Sequence, residues 1–139
     1  MTSYEPFIYA DESTSHSVSS HISVPASIAS KEELLATLAN RLCFPGYFGG
    51  NWDAFEECVR DLSWLPAGQV VLVHADIPLL NDLANARTYL AILSGAVRKM
   101  SKSEGHPLSV VFPTKFREQV EWLLRSQRNQ SSGGLEPKA

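Results

Sequence analysis

Residues 69–75 read Gln-Val-Val-Leu-Val-His-Ala. The run is short, apolar and rich in β-branched side chains, the mark of a strand covered on both faces and therefore of a parallel sheet. Its polar residue, His74, stands at the strand's end and takes a structural or surface role. A second run of this kind, Pro107-Leu-Ser-Val-Val-Phe-Pro113, is bounded by prolines that stop a strand. Between the two, residues 79–104 carry Leu79, Leu80, Leu83, Leu90, Leu93, Val97 and Met100 at helical spacing, and Gly105 is a helix stop. The pattern allows a break near Asn85–Thr88. Strand, helix, strand in that order is a right-handed crossover unit.

The alternation continues toward the N-terminus. His21–Val24 reads as a short strand stopped by Pro25, and Phe7–Ala10 as another, with the Ser-rich loop 11–20 (DESTSHSVSS) between them. Ser30 caps a helix in which Leu34, Leu35, Leu38 and Leu42 share a face, while Glu32 and Glu33 sit in the first turn, where the helix dipole favours anions. Pro45-Gly46 ends it. After the turn PGYFGGN (45–51), Asn51 caps a second helix. Trp52, Phe55, Val59 and Leu62 fall within an arc of about 80° at 100° per residue, and form its core face.

Toward the C-terminus, Pro113 or Thr114 opens a last helix, 114–128, with Phe116, Val120, Trp122, Leu123 and Leu124 as its apolar residues. The segment 129–139 is poor in apolar residues and reads as a disordered tail. The expected fold class is α/β, a small three-stranded parallel sheet flanked by helices with an extra C-terminal helix. Residues 1–19 form an N-terminal extension and 20–128 the domain. No internal repeat is apparent.

The chain has 139 residues, 44% hydrophobic and 19% charged, a composition that excludes a wholly disordered protein and leaves room for one domain. The net charge of −3 argues against a general nucleic-acid binder. Charge is uneven: residues 1–40 carry net −4, residues 41–96 net −3 and residues 97–128 net +4. An acidic front half suits a basic partner, although a solvated face is the commoner meaning. Cys43 and Cys58 allow at most one bridge and form no CxxC pair. The N-terminus lacks the pattern of a signal peptide, and no run is long enough to span a membrane, so a cytoplasmic protein is expected.

Nucleotide-binding loops, a GxSxG elbow and a helical His pair at i, i+4 are all missing from the sequence. No catalytic residue, metal or cofactor is therefore expected. The strongest local feature is the outward acidic stripe Asp53, Glu57 and Asp61 on the helix after Asn51, with Glu56 on its flank. For an isolated helix such a stripe is ordinarily a solvated face. A hydrolytic or metal site would need further ligands converging on Asp53 and Glu57, and the sequence names none.

The run Leu42-x-x-Pro45-x-Tyr47-Phe48-Gly49-x-Asn51-x-Asp53-Ala54-Phe55-x-Glu57-Cys58 resembles the signature of the barstar family, small intracellular inhibitors of microbial ribonucleases. The family's pattern is Leu-Pro-x-Tyr-Tyr-Gly-x-Asn-Leu-Asp-Ala-Leu-x-Asp-Cys in the same order, and the likeness extends over about residues 20–113. It implies a three-stranded parallel sheet flanked by helices. It also implies a protein that is not an enzyme, needs no cofactor, and blocks a toxic nuclease with its acidic helix and the preceding loop.

By the same resemblance, Tyr47 packs on a catalytic histidine of the nuclease, with Phe48 beside it. Gly49 allows close backbone approach, and Asn51 caps the inhibitory helix. Asp53 is the first inhibitory acid, and Glu57 stands for the family's dominant aspartate with one more methylene. Trp64 matches an aromatic contact after the helix. Glu56 replaces a family tryptophan, and the family's later peripheral acid falls near Met100, among Arg98, Lys99 and Lys102. Three other readings stand beside this one. The same fold could inhibit a deoxyribonuclease or another basic-cleft toxin; Asp53 and Glu57 could serve a small hydrolase; or the 114–128 helix could serve an adaptor.

Overall fold

The computed structural model describes residues 6–11, 20–46, 50–101 and 105–133. Its strands are β1 (Ile8–Tyr9), β2 (Ser20–Val24), β3 (Val70–His74) and β4 (Leu108–Phe112), and its helices α1 (Lys31–Arg41), α2 (Trp52–Val59), α3 (Leu83–Met100) and α4 (Arg117–Gly133). A single 3₁₀ turn, Thr114–Phe116, leads into α4. All strand pairs are parallel, in the order β1-β4-β3-β2. The architecture is a small parallel sheet flanked by four helices, the α/β class read from the sequence.

The strands at 69–75 and 107–113 obey the two-residue period. Val70, Leu72 and His74 are buried and alternate with half-buried Val71 and Val73, and Leu108, Val110 and Phe112 do the same around Ser109 and Val111. Leu34, Leu35 and Leu38 of α1, Phe55 and Val59 of α2, Leu90 and Leu93 of α3, and Val120 and Leu123 of α4 complete one continuous core.

Several expectations need correction. The sheet has four strands, not three, because residues 6–11 of the assigned extension join its edge. Phe7 is buried edge-on against Phe112 (5.3 Å between ring centroids), Ala10 N–H donates to the Phe112 carbonyl (3.0 Å), and Asp11 accepts from Thr114 N–H (3.0 Å). α3 starts at Leu83 instead of 79, since Asp82 takes the N-cap and Leu79 turns into the core at φ 67°. No break interrupts it at 85–88: the Thr88 hydroxyl donates back to the Ala84 carbonyl (3.0 Å) within a continuous helix. α2 stops at Val59, so Leu62 enters the core from φ 57° and not as a further helical turn. α4 continues past 128 to Gly133, five residues into the expected tail.

α1 ends in a closed hydrogen-bonded cap. Phe44 N–H reaches the Ala39 carbonyl (2.9 Å), Cys43 N–H reaches that of Asn40 (3.4 Å), and Cys43 stands at φ 57°. Glycine ordinarily fills this left-handed position after a helix. The cap turns the chain toward α2.

Candidate functional site

α2 is short, and its setting is built from both sides. Asn51 is extended, and its side-chain oxygen accepts from Ala54 N–H (2.8 Å), satisfying one of the donors a helix start leaves unpaired. The following residue, Trp52, is half-buried, and its indole N–H donates to the Asn85 side-chain oxygen on α3 (3.0 Å). Asn85 is itself oriented by Asp82, to which its amide nitrogen donates (2.8 Å).

Behind α2 lies an aromatic bed. Phe55 is fully buried, 5.8 Å from Tyr89, 6.0 Å from Trp52 and 6.2 Å from Phe44, centroid to centroid. Tyr89 donates its hydroxyl proton to His74 Nε2 (2.7 Å), while His74 Nδ1 donates to the Val111 carbonyl (3.1 Å). A carbonyl can only accept, so the imidazole is the neutral Nδ1–H tautomer with Nε2 as acceptor. Burial lowers the His74 pKa to about 3 against the opposing pull of the Val111 carbonyl, and burial pushes the Tyr89 phenol up. The bed is therefore uncharged at neutral pH.

The outer face of α2 has the opposite character. Asp53 and Glu57 are exposed one turn apart, and Asp61 is exposed just beyond the helix end. Among the described residues no cation is paired with any of the three, whereas Glu56 pairs with Arg60 (3.1 Å), both side chains about 41% exposed. An exposed pair of this type is worth under about 1 kcal/mol, but it offsets the Glu56 charge and leaves the stripe to the other three. The field of the stripe reaches inward: the buried Cys58 thiol has its pKa raised by burial first, then by Asp61 and Glu57.

The remaining residues named from sequence separate into two groups. Tyr47, Phe48 and Gly49 lie outside the described residues, and the chain resumes at Gly50, whose φ of 75° is one that side-chain-bearing residues rarely adopt. Trp64 is half-buried and committed inward. Its indole N–H donates to the Leu42 carbonyl (2.9 Å) and its ring meets Phe44 edge-on (5.9 Å), bracing the base of the 43–51 turn. Asp82, Asn85, Tyr89 and His74 were not singled out as site residues, although Asn85 and Tyr89 stand four apart on one face of α3. Among the described residues no three His, Cys, Asp or Glu side chains come together as metal ligands, and no helix is long and apolar enough to cross a membrane.

A family model described as Barstar (barnase inhibitor) matches residues 22–113, well over half of the 139-residue chain. The chain belongs to the barstar family. No curated protein matches it. The barstar match runs from β2 through β4 and includes both α2 and the aromatic bed under it, while β1 and α4 lie outside. Family membership places the chain among inhibitors of ribonucleases and not among enzymes. Where the barstar signature has Leu after the capping Asn, this chain has Trp52, the residue that bonds Asn85.

Proposed function

We propose that the protein is an immunity-type inhibitor of a toxic ribonuclease, with α2 and the turn before it filling the basic active site. The observation that carries this reading is the contrast between the two sides of α2, one neutral and aromatic, the other presenting Asp53, Glu57 and Asp61 without a paired cation among the described residues. A cleft that binds RNA must display cationic donors toward phosphate. Carboxylates on a pre-set helix can take the phosphate positions through charge-assisted hydrogen bonds. Because α2 is already ordered and capped, binding avoids most of the cost of folding the epitope. Acid facing base also speeds encounter, an effect for which barstar-type inhibitors are themselves the reference case.

The test is a calorimetric titration against the ribonuclease encoded beside the gene, with a barnase-type enzyme as comparator. One-to-one, salt-sensitive binding that is lost in the Asp53→Ala/Glu57→Ala double variant is expected. Binding that survives the double variant refutes the role given to α2.

A further inference from the structure

We infer that Asn85, on α3, is a positioning residue that sets the orientation of the acidic face of α2, acting through its hydrogen bond to Trp52. This rests on the inhibitor reading of α2 given above. Apolar contacts hold an element against its neighbour but are non-directional, so the rings of Phe55, Tyr89 and Phe44 resist separation of α2 better than they resist its rotation. A hydrogen bond constrains both distance and angle. Among the described residues, Trp52 Nε1–H to Asn85 Oδ1 is the only hydrogen bond linking α2 to another element.

The acceptor cannot turn away freely, because its amide nitrogen is held by Asp82 Oδ2 at 2.8 Å while Asp82 Oδ1 caps the Asn85 backbone N–H at 3.4 Å. The relay Asp82–Asn85–Trp52 therefore ties the start of α2 to the start of the 18-residue helix α3. The alternative anchor, the chain before α2, is the Pro-Gly-x-x-Gly-Gly turn at 45–50, a poor lever for fixing a helix.

Trp52 is the residue before Asp53, so any rotation of the indole about the helix axis carries the carboxylate with it. With side chains a helix is 10–12 Å across, and a turn of about 10° moves an outer atom by about 1 Å. That displacement separates a hydrogen-bonded carboxylate from one that is not.

The experiment uses the full chain with Asn85→Ala, Trp52→Phe and the double variant, at a temperature where all are folded. Two measurements are made: amide hydrogen exchange across α2 and α3, and dissociation from the nuclease encoded beside the gene. Each single variant is expected to speed exchange of the α2 amides about 5- to 10-fold and to raise the dissociation rate about 10-fold. The double variant should be no worse than the worse single one, and exchange over 90–100 should be unchanged. Unchanged α2 exchange overturns the proposal, and so does faster exchange with unaltered dissociation. If the parent chain does not bind the nuclease at all, the inhibitor reading fails, and with it the claim that Asn85 serves that face. The exchange data then show separately whether the tie holds α2.

Discussion

Acid sensitivity of the core follows from His74. Its ordinary value is 6.5, and in the fold it lies at about 3, lowered chiefly by burial. Between those values the unfolded chain binds a proton there and the folded chain does not, so stability contributed by the neutral imidazole is complete above pH 6.5 and is lost as pH falls toward 3. At 1.36 kcal/mol per unit of difference the full loss approaches about 5 kcal/mol, and at pH 5 it is about 2 kcal/mol. For 139 residues, at roughly 2.1 cal/mol/K of unfolding entropy per residue, this is a fall in Tm of about 7 °C. The structural cause is specific: a second proton on Nε2 would turn an acceptor into a donor facing the Tyr89 hydroxyl, leaving two buried protons competing for one oxygen. Urea unfolding at pH 8, 6 and 5, followed by tryptophan fluorescence, measures it in the parent chain and in His74→Gln. The variant is less stable at every pH, but its loss between pH 8 and 5 should be about 2 kcal/mol smaller than the parent's. The other titrating groups are common to both chains and cancel in that difference. Equal losses in the two chains would sink the argument.

Three further outcomes are expected. Cys43→Gly should raise stability by about 0.5–1 kcal/mol in the same unfolding assay, because the exposed Cys43 holds φ 57° where glycine carries no steric penalty. Cys58 is buried and its thiol pKa is raised, so Ellman's reagent should titrate one thiol in the folded chain and two in denaturant. Asp53→Ala and Glu57→Ala should each change stability by no more than about 0.5 kcal/mol, since both are exposed and unpaired among the described residues. The same substitutions should flatten the salt dependence of the association rate with the nuclease, measured by stopped flow.

The sequence by itself determined whatever depends on a residue's near neighbours. The strands at 69–75 and 107–113 were legible because a covered parallel strand is a short apolar run, and the helix starts at Ser30 and Asn51 because a cap acts over three residues. The outward stripe of Asp53 and Glu57 was legible too, since the helical period alone places them on one side. The barstar signature joined these local signals into a family and an expected partner class.

Only the tertiary structure decided the rest. β1 is two residues long and is held by Phe112 and Thr114, more than 100 residues away in sequence, which no local pattern encodes. Leu62 and Leu79 continue a helical spacing on paper, yet each reaches the core from a left-handed turn, because burial of the leucine outweighs the cost of the positive φ. Trp64 reads as a candidate contact until its indole is found on the Leu42 carbonyl. The setting of α2 belongs to this class as well. Trp52 and Asn85 are 33 residues apart, and their hydrogen bond exists because α3 is packed where a long-range fold puts it.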